Sequence, residues 1–308
     1  MSDPNDSFQQ IVTLVEPGAR LVRHWSLDGG ISCTMTGLEI ERPSGERHKL
    51  VVRQVGKWSF ENYPESVHNE RALLLHLGDH GIPVARPRYA DTSNTLLERP
   101  FLVLDYVEGS TDLTTADRIG RATKMADQLA EIHLLDPVDP VFAFMKPSKV
   151  NIRPENQPPD EDLQETKIHL YLSKLFPEVE ENPYSFRHGD FWPGNVLWKD
   201  GELAAVIDWE ETSIGDPLFD VSLTRLDVLW AYGEPAMHAF TERYQSRRHI
   251  NYDFLPFWDL RISLRPMKNI SNWASSFPPM GRPDVTAASM TAGHRWFVDQ
   301  AIARSSRR

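Results

Sequence analysis

The sequence has little cysteine and a deficit of positive charge. Cys33 is the single cysteine among 308 residues, so no disulfide can form within the chain and no cysteine cluster can hold a structural zinc ion. Lys and Arg number 33 against 44 Asp and Glu, and the formal net charge of −11 repels nucleic-acid phosphates and anionic membrane surfaces. We therefore expect no nucleic-acid partner, no membrane partner and a reducing compartment.

Long apolar stretches and several common catalytic motifs are also missing. No apolar stretch reaches the ~20 residues that a membrane span requires, and residues 1–10 lack the basic and then apolar pattern of a signal peptide. We expect a soluble, cytoplasmic protein. The motifs HExxH, GxGxxG, GxSxG and the P-loop GKS or GKT do not occur, which argues against zinc hydrolases, dinucleotide enzymes, serine hydrolases and P-loop enzymes.

The first 107 residues have the pattern of a small α+β lobe. Three strand-like runs lie between Ala19 and Val55, and they are separated by Gly29-Gly30 and by the turn Pro43-Ser44-Gly45-Glu46. These runs predict an antiparallel meander. One helix is predicted from Pro64 to Gly81, and two further strands around residues 86–90 and 101–107. Together they predict five strands and one helix.

Residues 108–308 have the pattern of a larger, mainly helical lobe. Apolar positions at helical spacing predict helices over residues 119–133, 161–176, 217–232, 235–247, 254–265 and 284–303. Residues 136–160 contain six prolines and no glycine, which resists both helix and central strand. We interpret that stretch as a substrate-binding insert or a linker.

The most informative stretch runs from Phe186 to Asp220. Two short apolar strands flank the turn Lys199-Asp200-Gly201-Glu202 and predict a β-hairpin, which brings the loop before it and the loop after it to the same end. Asp190 and Asn195 precede the hairpin, and Asp208 with Glu210 follows it. Carboxylate and amide oxygens suit Mg²⁺, which proteins commonly hold together with substrate phosphates. The pattern therefore indicates phosphoryl transfer.

The segments HGD, FWPGN and IDWE resemble the aminoglycoside phosphotransferase and choline-kinase-like branch of the protein-kinase-like fold. The resemblance implies a bilobal α+β protein with lobes at residues 1–107 and 108–308. It also implies that Asp190 is the base or orienting carboxylate, that Asn195 and Asp208 are metal ligands, and that Glu210 assists. It implies for His188 a packing and hydrogen-bonding role that shapes the catalytic loop.

The same resemblance implies a nucleotide site in the first lobe. Gly29 and Gly30, with Ser32 beside them, would contact the phosphates of ATP or GTP. Arg53 stands where a lysine is usual, and Glu70 would hold it against the inner phosphates. The connector from Leu104 to Val107, which includes Asp105 and Tyr106, would receive the purine ring.

The function implied is Mg²⁺-dependent transfer of the γ-phosphoryl group of ATP or GTP to a hydroxyl group of a small molecule. The alternative is a nucleotide-binding regulatory protein of the same fold that has lost turnover, which is motivated by Arg53 and by the sparse glycine loop. The sequence leaves the oligomeric state open.

The sequence also leaves the charge of the acceptor open. Seven acidic residues between Asp160 and Glu181 would steer a cationic acceptor, or they form a solvated helix face. Four tryptophans would stack on a sugar or cage an ammonium group, or they belong to the core; they are Trp230, Trp258, Trp273 and Trp296. Arg261, Arg265 and Lys268 equally suit an anionic acceptor. Asp216-Pro217 predicts a helix start, and Asp220 either braces the catalytic loop or favours that helix through its dipole.

Overall fold

The computed structural model describes residues 4–27, 33–63, 65–145, 158–175 and 179–305. The chain divides into two compact units, Met1–Glu108 and Gly109–Arg308, and each is described by itself. None of the helices in these ranges combines the length and the apolar character that crossing a membrane requires.

A five-stranded antiparallel sheet forms the centre of the first unit. Its strands are β1 (Arg20–Ser26), β2 (Cys33–Glu41), β3 (Arg47–Val55), β4 (Pro87–Asp91) and β5 (Phe101–Asp105), in the spatial order β1-β2-β3-β5-β4. The predicted meander of three strands and the two later strands are therefore confirmed. Strand β5 lies between β3 and β4, so the backbone of Leu104 pairs with Val51 on one side and with Pro87 on the other.

Three helices accompany this sheet in the described residues, where the sequence predicted one. They are α1 (Pro4–Val15), α2 (Lys57–Asn62) and α3 (Ser66–Asp79), of which α3 corresponds to the predicted helix. The prediction missed α1, which buries Ile11 and Val12 against sheet residues such as Leu38, Leu50 and Val103. Short apolar segments are weak helical signals, and α1 gains its stability from covering this apolar face of the sheet.

The second unit is built around helix α6 (Leu218–Tyr232), of whose 15 residues 13 are buried. The other helices are α4 (Arg118–Ile132), α5 (Glu165–Leu175), α7 (Glu234–Arg247), α8 (Leu255–Ile262), α9 (Ile270–Ala274) and α10 (Ala287–Ser305). Helices α7, α8 and α10 pack directly against α6. All six predicted helices occur. Of the proline-rich stretch, residues 146–157 lie outside the described residues, and Pro140–Phe142 forms a short 3-10 helix.

Two short antiparallel pairs position the loops between them. The predicted hairpin consists of β7 (Val196–Lys199) and β8 (Glu202–Val206), joined at Asp200 and Gly201, whose φ angles of 51° and 80° suit a two-residue hairpin turn. A second pair, β6 (Ser185–Arg187) with β9 (Ser213–Gly215), was not predicted. Residues 188–195 connect β6 to β7, and residues 207–212 connect β8 to β9. Both connections therefore run between the same two pairs and lie side by side.

A buried ion pair joins α6 to α8. Arg225 and Asp259 are both fully buried, and two hydrogen bonds of 3.1 Å (Nε to Oδ1) and 3.0 Å (Nη2 to Oδ2) connect them. Asp259→Ala would leave the guanidinium charge buried without its partner. We expect a loss of about 3–5 kcal/mol in the free energy of unfolding, measured by urea titration.

The matched control is Arg243→Ala, which removes an exposed pair. Arg243 donates to Asp127 over 2.8 Å, but the two side chains are 45% and 36% exposed, so we expect a loss below about 1 kcal/mol. Equal losses in the two variants would contradict a role for burial in the strength of the Arg225–Asp259 pair.

Candidate active site

The loop that carries Asp190 is anchored by Asp220 in the first turn of α6. The backbone N–H groups of His188 and Gly189 donate to the Asp220 carboxylate over 2.8 and 3.1 Å. Asp220 is fully buried and also accepts from His133 Nε2 over 3.3 Å, while His133 Nδ1 contacts the Tyr244 hydroxyl at 2.5 Å. The structure therefore supports the bracing interpretation of Asp220. Asp216 accepts a hydrogen bond from the Leu218 N–H over 2.8 Å, which agrees with the predicted helix start.

His188 joins the Asp190 loop to the end of strand β8. Its Nε2 lies 3.0 Å from the Ile207 carbonyl oxygen, and its Nδ1 lies 3.3 Å from the Asp190 backbone nitrogen. One tautomer satisfies both contacts, with a proton on Nε2 and a lone pair on Nδ1. Burial lowers the pKa of His188, which favours this neutral form. These contacts match the packing and hydrogen-bonding role expected from the sequence.

Gly189 is needed where the two loops approach each other. Its φ of +82° lies in the left-handed region, and a Cβ atom there would lie 2.0 Å from the Glu211 carbonyl oxygen. A side chain at this position would push the loop that carries Asp190 away from the loop that carries Asp208.

Asn195 holds Asp190 and at the same time contacts the other loop. Its side-chain Nδ2 donates to the Asp190 backbone carbonyl over 2.9 Å and to Asp190 Oδ2 over 3.2 Å. Its backbone carbonyl accepts from the Ile207 N–H over 3.0 Å. Since the amide nitrogen faces two oxygens, the orientation of the amide group follows from its partners. The Oδ1 atom accepts no hydrogen bond from any residue that the structure describes.

Asp208 immediately follows Ile207. The hydrogen bonds of Ile207 to Asn195 and His188 therefore bring Asp208 beside the Asp190 loop. Asp208 is exposed and has the left-handed backbone angles φ 65° and ψ 64°. Glu210 lies nearby in the short 3-10 helix Trp209–Glu211 and is also exposed. No group of three His, Cys, Asp or Glu side chains suited to a metal occurs in the described part of the chain. One carboxylate and one amide oxygen nevertheless fit Mg²⁺, which takes its remaining ligands from water and phosphates.

Arg265 contacts Asp190 directly. This contact was not predicted from the sequence. Arg265 Nη2 lies 3.0 Å from Asp190 Oδ1, and the guanidinium carbon lies 5.7 Å from the centre of the Trp273 ring. The partly buried Asp227 on α6 is close enough for its charge to respond to both Arg265 and Asp190. The available signal was the basic cluster Arg261, Arg265 and Lys268, but spacing alone does not indicate which of its members lies at the site.

In the first unit, Arg53 and Glu70 form the expected ion pair. Arg53 lies on β3 opposite Leu102 of β5, and its Nη1 donates to Glu70 Oε2 on α3 over 2.6 Å. The Arg53 side chain is only 12% exposed, so it is largely shielded from solvent.

The remaining expected nucleotide contacts are described only in part. Gly29, Gly30 and Ser32 lie outside the described residues. The Asp105 N–H donates to the Arg86 carbonyl over 2.9 Å and the Tyr106 N–H to the Lys49 carbonyl over 3.2 Å, while the Asp105 carboxylate accepts from Arg88 over 2.7 Å. Both backbone donors are therefore already used. Val107 follows them and has no backbone partner among the described residues.

Comparison with known proteins identifies the family of this chain. A model of the phosphotransferase enzyme family (APH) matches residues 42–258, more than half of the chain. The protein therefore belongs to the phosphotransferase enzyme family. It has the protein-kinase-like fold of that family's solved structures, with an α+β unit followed by a mainly helical unit.

Three known proteins are similar to this chain. Human acyl-CoA dehydrogenase family member 11 is 25% identical over 220 residues, which cover 61% of this chain and 28% of the relative. Homoserine kinase from Nitrobacter hamburgensis is 27% identical over 151 residues, 44% of each chain. Spectinomycin phosphotransferase, solved with ADP and spectinomycin, superposes with a TM-score of 0.60 at 14% identity over 97% of this chain and 98% of that one. The chain thus spans less than half the length of these two sequence relatives.

Asp227 gives the site a measurable dependence on pH. Burial raises its pKa from 3.8 to about 8, Asp190 adds to the rise and Arg265 opposes it. A carboxyl whose pKa is raised on folding stabilises the protein most below its ordinary pKa, and this stability is lost as the pH rises toward 8. We expect the free energy of unfolding of Asp227→Asn to exceed that of the wild type by about 1–3 kcal/mol at pH 9. Near pH 4 the two values should be equal.

Urea unfolding at pH 4, 6, 8 and 9 would measure this difference. Asp200→Asn makes the same chemical change in the exposed hairpin turn, where Asn also accepts a positive φ. A difference between wild type and Asp227→Asn that stays constant over the pH range would contradict the raised pKa.

Proposed function

We propose that the protein transfers the γ-phosphoryl group of ATP or GTP, with Mg²⁺, to a hydroxyl group of a small molecule. One observation carries the proposal: the three residues lie on loops that are hydrogen-bonded to each other. Asn195 donates to the Asp190 carboxylate, and its backbone carbonyl accepts from the N–H of Ile207, the residue before Asp208. Membership of the phosphotransferase enzyme family supports small-molecule phosphotransfer. The ADP in the spectinomycin phosphotransferase structure supports nucleotide use.

Asp190 is proposed to orient the acceptor hydroxyl and to take its proton. The hydroxyl oxygen forms a bond to the γ-phosphorus, the bond from that phosphorus to the β–γ bridging oxygen breaks, and the nucleoside diphosphate leaves. Asn195 Oδ1 and Asp208 would hold Mg²⁺, which when bound offsets the charge of the phosphates. His188 and Asp220 keep the loop in place, so little reorganisation is required when the reaction begins.

Arg53 is proposed to bind the inner phosphates while Glu70 fixes its orientation. An arginine keeps the positive charge of the usual lysine and adds a fork that serves a carboxylate and a phosphate at once. Gly29, Gly30 and Ser32 are proposed to cover the phosphates. At the connector, the N–H groups of Asp105 and Tyr106 already donate to other backbone carbonyls. The purine ring is therefore proposed to contact the carbonyl groups of these two residues and Val107.

The principal test is substitution of the two carboxylates. Asp190→Ala and Asp208→Ala should each lower phosphoryl transfer by about 10²–10⁴-fold, since each removes a group that acts on the reacting atoms. The measurement is nucleoside diphosphate release with a panel of alcohols that includes homoserine, aminoglycosides, macrolides, choline and simple sugars. Glu242→Ala, at an exposed position of α7, is the control.

A thermal-shift titration with ATP and Mg²⁺ separates this proposal from its alternative. Asp190→Ala should keep the stabilisation by nucleotide, whereas Asp208→Ala should lose the part that depends on Mg²⁺. A wild-type protein that binds nucleotide but transfers phosphate to no acceptor would be the regulatory protein. Near-normal turnover in either variant would refute the roles assigned here.

The Arg53–Glu70 pair provides an independent test. Arg53→Ala should raise the KM for the nucleotide and lower kcat, whereas Arg53→Lys should change both by less than about tenfold because the charge is retained. Steady-state kinetics with varied nucleotide would measure this. Arg20→Ala, which removes an exposed pair with Glu41 on strand β2, is the control. Equal and complete loss in both Arg53 variants would mean that the shape of the side chain matters more than its charge.

A further inference from the structure

The acceptor side of Asp190 contains a positive charge. The two oxygens of the Asp190 carboxylate have different partners: Oδ2 accepts from Asn195, the proposed metal ligand, and Oδ1 accepts from Arg265. Any hydroxyl that approaches Asp190 closely enough to be oriented by it therefore also comes close to the Arg265 guanidinium, which is 3.0 Å away.

We propose that the acceptor is an alcohol that carries an oxyanion, a carboxylate or a phosphate monoester, and that Arg265 binds this group. The inference rests on the phosphotransferase function proposed above and specifies its substrate class.

Arg265 has hydrogen-bonding capacity to spare. Its guanidinium makes one side-chain hydrogen bond within the described residues, through Nη2, and the side chain remains 25% exposed. The planar fork offers five N–H donors and binds carboxylates and phosphates through two of them at once. An oxyanion at the exposed edge would use donors that Asp190 leaves open.

The backbone fixes the place of this side chain. Arg265 lies just beyond α8, and its N–H donates to the Ile262 carbonyl over 2.9 Å, so it continues the end of that helix. Its guanidinium also stacks on the partly buried Trp273 of α9. A guanidinium held from two sides loses little conformational freedom when it binds an anion.

The local charge leaves room for one more anion. Burial keeps Asp227 largely protonated at neutral pH, so it adds little negative charge beside Arg265. Asp190 is then the one carboxylate that pairs with the guanidinium among the described residues. With Mg²⁺ and its nucleotide on the Asn195 side, an acceptor anion is most favourably placed at Arg265.

Several of the features that would favour a cationic acceptor make other contacts. In the acidic stretch, Glu165 is fully buried and accepts from the Asp160 N–H over 2.6 Å, and Asp162 pairs with Arg295. Glu181 accepts from the Tyr184 hydroxyl over 2.7 Å. Trp230 and Trp258 are buried in the core. Of the two interpretations that the sequence left open for them, core packing therefore applies.

Matched acceptor pairs test the proposal directly. The pairs are L-homoserine with L-homoserinol, 3-hydroxypropanoate with 1,3-propanediol, and glycerol 3-phosphate with glycerol; choline is the cationic probe. The dissociation constant of each would be measured by calorimetry with a non-hydrolysable ATP analogue and Mg²⁺ present, and kcat/KM would be measured with ATP. At least one anionic member should bind about tenfold or more tightly than its neutral partner. The pair with the larger ratio distinguishes carboxylate from phosphate.

Substitution of Arg265 should remove the preference for anionic over neutral acceptors, and not only lower the rate of phosphoryl transfer. Arg265→Gln should bring the anionic and neutral members within about twofold of each other, and Arg265→Lys should restore part of the difference. Arg261→Gln, in the same basic cluster but without contact to Asp190 among the described residues, is the control and should keep the wild-type preference.

The outcomes distinguish the two proposals. Transfer that proceeds equally well to neutral or cationic probes, or an anion preference that survives in Arg265→Gln, would overturn the acceptor class alone. An equal loss of rate with every acceptor in Arg265→Gln would likewise overturn it, since Arg265 would then only position Asp190. Absence of anion binding by any probe also counts against it. Tight anion binding by Arg265 without transfer to any probe would overturn the phosphotransferase function.

Discussion

The geometry of the site depends on the backbone of Ile207, because both of its hydrogen-bonding groups are held by the Asp190 loop. Its N–H donates to the Asn195 carbonyl and its carbonyl accepts from His188. Asp208 is the next residue, so its position follows from these two bonds. The β6·β9 and β7·β8 pairs enclose the two loops from either side, and Gly189 permits their close approach. A carboxylate before the hairpin and a carboxylate after it are thereby held on adjoining loops.

Burial and charge pairing explain the directions of the pKa shifts around this site. Burial lowers the pKa of His188, and the uncharged ring is the form that can join both loops. The pKa of Asp220 is lowered although burial opposes this, because His133 donates to its carboxylate and the charge of Arg187 lies nearby. Burial raises the pKa of Asp227 to about 8, and the charge of Arg265 opposes this rise only in part. Asp190 and Arg265 form an ion pair at 3.0 Å, and the proposed preference for an anionic acceptor depends on this pair.

Much of this arrangement was predictable, and the misses have specific causes. The hairpin was predicted because Asp-Gly between two apolar runs is a strong local signal. Helix α1 was missed because its stability comes from the sheet that it covers. The β6·β9 pair was missed because strands of three residues carry almost no periodicity. Arg265 was noticed as a charge, but its contact with Asp190 joins residues 75 positions apart in the sequence.

The sequence by itself determined the class of protein, because the order Asp190, Asn195, Asp208 around a hairpin is a local pattern of residue types and spacing. It also determined the five strands and most of the helices, whose signals are periodic. Only the tertiary structure decided the contact between Arg265 and Asp190 and the raised pKa of Asp227. Both depend on burial and on distances between segments far apart in the chain, and neither quantity is encoded in any short stretch of residues.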